Sequence, residues 1–415
     1  MFDDLLTGTI VSIDGARCLN TRHERAGCRR CVAACPTAAI TLADGVPVVE
    51  AAACVRCGAC VPVCPTDAVA AGDAPERRLL DACQTIDSGL VTVACVANPQ
   101  PRANAGGGST VRHSRCLASL SAEHLVALTS DGKRRLELDM SWCEACPIST
   151  AADVVIAAVE SIEALIPARP AIVALVGLPG DADEPMATGS TAAVMDSHRP
   201  SMSRRGLFSS MRKRAESAVQ RGREIAPPPL RRTRGPVLAR LPQSVPTSRH
   251  RLLERLRRTP PGGHSTDVPA TQVPFADVVI GTSCSACSLC ARYCPTGALS
   301  FVTTASPTDA RGSFTLSFQM STCIDCGICA TACPEDAVTF GATIDTRDIN
   351  RPDPIELHRG KLTTCSSCAL PTAATDGSEP ARCFSCRLGS GVVTALRDDA
   401  GLMADLLTRL GPIDE

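Results

Sequence analysis

The chain has 415 residues, enough for two to four domains, yet only ten of them are aromatic and 25 are cysteine. Hydrophobic residues make up 44%, and about 38% once the cysteines are set aside; so thin an apolar content excludes an extensive aliphatic and aromatic interior throughout, and another cross-link must hold parts of the protein together. The net charge of −1 hides an asymmetry, because residues 199–258 hold 17 basic and 3 acidic side chains (+14) while the rest holds 25 and 40 (−15). Arginine outnumbers lysine 39 to 3, as codon usage in a GC-rich genome produces, so charge alone names no partner.

An odd number of cysteines excludes complete internal disulfide pairing. The opening MFDDLLTGTIVSIDG lacks the basic, apolar and small-residue regions of a secretory signal, and the sequence has no run of 18 uninterrupted apolar residues. A soluble protein of a reducing cytoplasm is expected, in which thiolates serve metal.

Residues 1–75 contain Cys28-x2-Cys31-x3-Cys35-Pro36 and Cys54-x2-Cys57-x2-Cys60-x3-Cys64-Pro65. Residues 271–350 repeat the pattern twice, as Cys284-x2-Cys287-x2-Cys290-x3-Cys294-Pro295 and Cys323-x2-Cys326-x2-Cys329-x3-Cys333-Pro334. Each proline is followed by the same small-then-aliphatic pair: Ala39-Ile40, Ala68-Val69, Ala298-Leu299 and Ala337-Val338. Three cysteines spaced by two place three thiolates around one turn, and the fourth, before proline, points to a second site. This is the spacing of a [4Fe-4S] cubane site.

Both segments resemble the bacterial two-[4Fe-4S] ferredoxin family, which implies two ferredoxin-like (ββ/αα) modules in an α+β multidomain protein. The resemblance implies four clusters with exchanged ligands. One is held by Cys284, Cys287, Cys290 and Cys333, one by Cys323, Cys326, Cys329 and Cys294, and one by Cys54, Cys57, Cys60 and Cys35. The remaining site is irregular: Arg25 stands where its first cysteine belongs, leaving Cys28, Cys31 and Cys64. Cys18 is the favoured fourth ligand, across an insertion containing Thr21, Arg22, His23 and Glu24. A three-iron cluster, a water-ligated site and His23 are the alternatives. The clusters also staple domains too small to fold alone, but paired redox centres in one small fold point to electron transfer.

Residues 76–196 alternate strand and helix. Leu90 to Ala94, Arg135 to Met140 and Ala171 to Val176 read as strands, and Ser121 to Leu128 and Thr150 to Ile166 as helices, giving an α/β domain. Cys95 ends the first strand, Cys116 lies before the first helix, and Cys143 and Cys146 follow the second strand; open α/β sheets gather their sites at the carboxyl ends of strands, so the four could converge on one metal centre. Arg115-Cys116-Leu117 before the Ser121 helix, then a strand and a cysteine pair, resembles small iron–sulfur subunits of hydrogenase and heterodisulfide reductase complexes. That implies a fifth iron–sulfur centre; zinc and unligated thiols are the alternatives. Trp142 reads as packing beside the site, Cys83 as a buried free thiol, and Gly106-Gly107-Gly108 as a polar loop.

Residues 197–270 read as a disordered, basic Pro/Arg-rich linker with short helices near Leu207 to Arg223 and Arg249 to Arg258. Within it Ser203-Arg204-Arg205 is similar to a stretch in ferredoxin-type accessory proteins of periplasmic reductases. Residues 355–390 carry Cys365-x2-Cys368 and Cys383-x2-Cys386, the pattern of a zinc ribbon, with Thr363 and Phe384 as flanking strands; another iron–sulfur centre is the alternative. Residues 391–415 read as a C-terminal helix.

The functional expectation is a polyferredoxin, a redox subunit relaying single electrons to or from a partner oxidoreductase, with no catalytic activity of its own. The alternative is a ferredoxin-type accessory protein that matures a redox enzyme. No nucleic acid is expected as a partner, and no transmembrane segment.

Overall fold

The structure, a computed structural model, describes residues 10–71, 75–87, 89–102, 108–129, 131–167, 171–178, 194–197, 241–259, 267–304, 312–374 and 380–387. The helices expected at Leu207 to Arg223 and over 391–415, the Ser203-Arg204-Arg205 stretch and Gly106-Gly107 lie outside them.

The two cysteine-rich segments share one topology. In the first, Ser12–Ile13 pairs antiparallel with Val69–Ala70, and Ile40–Ala43 forms a hairpin with Val46–Val49. The hairpin closes through Asp44-Gly45, both with positive φ, as a two-residue turn between right-twisted strands requires. In the second, Val278–Ile280 pairs with Val338–Phe340, and Leu299–Thr304 with Ser313–Phe318. The core of the first is small: Val11, Ile40 and Val69 are buried with Cys31 and Cys60. The second adds Phe275, Leu316, Phe318 and Ile344 around Cys290, Cys294 and Cys329.

The middle segment is a parallel five-stranded sheet in the order Val173–Val176, Arg135–Asp139, Leu90–Cys95, Ser109–His113, Met195–Asp196. Val91, Val93, Val111, Leu136, Leu138 and Val173 are fully buried in it. The near-continuous apolar strands are those of a sheet covered on both faces, and the amphipathic helices Pro75–Gln84, Ala122–Leu128 and Ala152–Leu165 pack on it. Ser121 caps the second of these in a capping box with His124.

Two expectations are corrected. The stretch 197–270 is not a linker to its end: Thr247–Arg258 is a helix wedged between the modules. Its Leu252 and Leu253 are buried, its Arg249 lies 4.1 Å over the Phe275 ring, and Arg251 and Arg255 pair with Glu123 and Asp131. Its Ser248 hydroxyl donates to the Asp67 carboxylate at the base of the first module. The short helix expected near Arg249 to Arg258 is thus present, but its cations have partners in the middle domain and the second module instead of solvent. The 355–390 knuckle, in turn, is no separate unit. Strand Ile355–Thr364 extends the hairpin of the second module, and Pro371–Ala373 joins it, giving a four-stranded sheet. Thr363 lies in a strand as expected, whereas Phe384 opens the short helix Phe384–Arg387.

Glu123 illustrates the cost of this junction. It is 6% exposed with Arg251 Nη1 at 3.3 Å, and burial pushes its carboxyl from 4.5 up to about 7 despite that cation. A raised folded value means that the neutral form is favoured on folding, so the contribution is complete in acid below 4.5 and is lost as pH rises through about 7. Glu123→Gln is therefore expected to flatten the pH dependence of the melting temperature across that window. An unchanged slope would contradict this account of the junction.

Candidate metal centres

The three complete motifs share a backbone signature that spacing alone does not reveal. In each, the residue before the second cysteine and the residue after it both have positive φ: Arg56 and Gly58, Ala286 and Ser288, Asp325 and Gly327. Such left-handed residues turn successive backbone N–H groups inward and make a concavity for anions, as at iron–sulfur sites. The irregular motif keeps only the first of the pair, Gly27, because Arg29 has φ −128°.

A second signature falls at three of the four repeated alanines. The N–H groups of Ala39, Ala68 and Ala337 donate to Sγ of Cys35, Cys64 and Cys333 at 3.2, 3.2 and 3.3 Å. Hydrogen bonds to the sulfurs favour the thiolate and help to set the potential of a bound cluster.

The thiols gather in the exchanged sets. Cys284, Cys287, Cys290 and Cys333 line one enclosed apolar cavity with Ile280, Phe301 and Leu316. Cys294, Cys323, Cys326 and Cys329 line a second with Val278, Phe318 and Ile328. In the first module burial pushes Cys60 up to about 12, reinforced by Cys57, Cys35 and Cys54. Burial pushes Cys31 up to about 11, reinforced by Cys28, Cys64 and Cys18. Cys18 thus stands with the irregular set, at the foot of the short helix Leu19–Arg22. Asn20 holds the insertion closed, donating Nδ2 to the carbonyl of Cys28 at 3.0 Å and accepting from its N–H at 2.7 Å.

Cys95, Cys116, Cys143 and Cys146 line a further enclosed cavity at the carboxyl edge of the parallel sheet, with Trp142 and Ile148. Sequence reasoning missed Asp139, which organises this edge. Buried to 1%, it accepts from Asn98 Nδ2, Arg102 N and Ser141 Oγ at 3.0, 2.8 and 2.6 Å, tying the loop after Cys95 to the loop before Cys143. Trp142 packs against the domain core, and Cys83 is 2% exposed in the helix Pro75–Gln84, pushed up to about 12 by burial.

The knuckle differs in scale. Among the described residues, only Cys365, Cys368, Cys383 and Cys386 bring four ligand atoms within 4.8 Å of one another. Tetrahedral thiolates around zinc at about 2.3 Å lie roughly 3.8 Å apart, so this set has the size for one ion. The other sets are wider, as a cubane with one thiolate per iron requires. Burial raises the Cys365 thiol, but N–H groups led by that of Cys383, at 3.3 Å, outweigh it and leave the thiol low.

A larger cavity, about 590 Å³, lies where the first module, the middle domain, the wedge helix and the second module meet, lined among others by Cys64, Glu123, Arg249 and Asp325.

Residues 25–68 and 283–337 each match the family model of the 4Fe-4S dicluster domain. No curated protein and no solved structure matches the chain. Two 4Fe-4S dicluster domains are thus present, they imply iron–sulfur clusters, and they support a role in electron transfer.

The Cys57 loop sits directly against the middle domain. A Cβ on Gly58, at φ +84°, would meet Ser119 Cβ at 2.8 Å. Gly58→Ala is expected to cost about 1–3 kcal/mol through overpacking and backbone strain, read as a lower melting temperature of the full chain. An unaltered melting temperature would show that the loop does not pack there.

Proposed function

We propose that the protein is a polyferredoxin-type electron relay. Cubane clusters are held by the sets Cys18/Cys28/Cys31/Cys64, Cys35/Cys54/Cys57/Cys60, Cys284/Cys287/Cys290/Cys333 and Cys294/Cys323/Cys326/Cys329. Cys95, Cys116, Cys143 and Cys146 hold a fifth iron–sulfur centre, and the knuckle holds structural zinc. Iron–sulfur clusters supply one-electron oxidation and reduction when bound. The chain's residues supply thiolates, backbone donors and exclusion of water.

One observation carries this reading: neighbouring sets adjoin one another. Cys116 of the middle site lies within electrostatic reach of Cys57, and Cys329 within reach of Cys290. The fully buried Arg115 stands at the first of these contacts, its Nη1 at 3.5 Å from a Cβ on Gly58. Stapling alone gives no reason for redox-capable sites to abut across a domain boundary. Substrate chemistry belongs to a partner oxidoreductase, and the protein works in a reducing compartment. Among the described residues no helix is long and apolar enough to cross a membrane.

Anaerobically purified full-length protein is expected to carry at least about 16 iron atoms, reducible and reoxidisable, and one zinc. Cys18→Ala lowers the iron content by up to about four atoms while His23→Ala leaves it unchanged. Retention of full iron by Cys18→Ala would remove Cys18 from the ligand set, and far fewer irons in the parent protein would sink the relay.

A further inference from the structure

The insertion that breaks the ferredoxin spacing in the first module reaches the second module. Arg22, its central residue, donates Nε to the carbonyl of Tyr293 at 2.7 Å, Nη1 to that of Pro242 at 2.6 Å and Nη2 to that of Cys294 at 3.1 Å. Beside it the His23 ring meets Tyr293 edge to face, with centroids 4.8 Å apart. Arg25, standing where the family places a cysteine, donates to the carbonyl of Thr331 at 3.3 Å. Arg30 pairs with the Asp325 carboxylate at 3.2 Å, inside the Cys323–Cys326 loop. From the wedge helix Arg249, 6% exposed, donates to the carbonyl of Pro274 and stacks on Phe275; Cys323 is among the thiols that its charge reaches.

These cations converge on one thiol set, Cys294, Cys323, Cys326 and Cys329. Asp325 offsets one of them. Arg30 is half exposed, so solvent screens it, whereas Arg22 and Arg249 act through a less polar medium. The companion set in the same module sees the opposite sign: Glu335, paired to Arg387, adjoins Cys284 and lines its cavity. Charge and hydrogen bonding around the sulfurs are among the levers that set a cluster's potential.

We infer that the insertion is an internal docking device, and that Arg22 makes the Cys294/Cys323/Cys326/Cys329 site the more oxidising of the two cluster sites in the second module. Arg22 is here a positioning residue that acts across the module boundary on a site to which its own module contributes no thiolate. The arrangement also gives the departures from the ferredoxin pattern, the inserted Arg22 and His23 and the exchanged Arg25, a common purpose. The inference rests on the proposed presence of clusters at these sets.

The test is a potentiometric titration of the anaerobic full-length holoprotein, followed by electron paramagnetic resonance, with iron content measured alongside. Arg22→Gln is expected to lower one midpoint potential by about 59 mV, a tenfold change in a one-electron equilibrium, with iron retained. Arg22→Lys, which keeps the charge, restores most of it. Glu335→Gln is expected to raise a different midpoint. Should Arg22→Gln shed iron, Arg30→Gln reads the same field from the same face and lowers the same midpoint less. Unmoved potentials in an iron-replete variant, or Arg22→Gln and Glu335→Gln moving one and the same signal, would overturn the inference. A parent protein with no cluster signals would instead overturn the proposed function.

Discussion

Thiolates repel one another, and burial makes each harder to ionise. In this protein Cys60, Cys290 and Cys326 are all pushed up to about 12 by desolvation and by their neighbours. A fold that collects four such groups around an apolar cavity, and does so repeatedly, holds them as thiolates at neutral pH only when they share a cationic centre. The rest of the architecture follows from that constraint. The first module has a core of only a few aliphatic side chains and two cysteines, so it cannot be sized as an ordinary domain. The middle domain, with a parallel sheet whose central strands are fully buried, folds by burial and lends its neighbours a rigid face.

That face lets the parts act as one body. The Cys57 loop presses on the middle domain at a glycine, the wedge helix pins the middle domain to both modules through Glu123, Asp131, Asp67 and Phe275, and the first module grips the second through arginines aimed at backbone carbonyls. Carbonyl acceptors suit this purpose. They bind a guanidinium without neutralising it, so the positive charge stays available to the nearby sulfurs, whereas a carboxylate partner offsets it, as Asp325 does for Arg30.

Much of this was legible in the sequence, for physical reasons that differ by segment. Cysteine spacing marked the candidate ligands and the ferredoxin resemblance implied the exchanged sets; in the second module two cavities are lined by those cysteines. The strands Leu90–Cys95 and Arg135–Asp139 were visible as apolar runs between turn signals, and Ser121 as a cap. Ser109–His113 was not, because Ser109, Thr110 and Arg112 look like loop residues; Thr110, Val111 and His113 are buried because the strand lies between two parallel neighbours in a sheet whose faces helices cover. The helix near Arg249 to Arg258 was expected, but its docking was not, since arginines that read as a solvated run turn out to be paired with acids from other segments. The paired left-handed residues of each motif and the clamp at Asp139 leave no mark in spacing. They emerge only when backbone turns and distant loops are brought together.

The central claim is that neighbouring cluster sites adjoin one another, the Cys57 set beside the middle-domain site and the Cys290 set beside the Cys329 set. The most direct measurement is the electron paramagnetic resonance spectrum of the fully reduced, iron-replete full-length protein compared with that of a half-reduced sample. The account predicts broadening and splitting from magnetic coupling between the adjoining sites, growing as reduction proceeds. A spectrum that at every level of reduction is the plain sum of isolated clusters would contradict it.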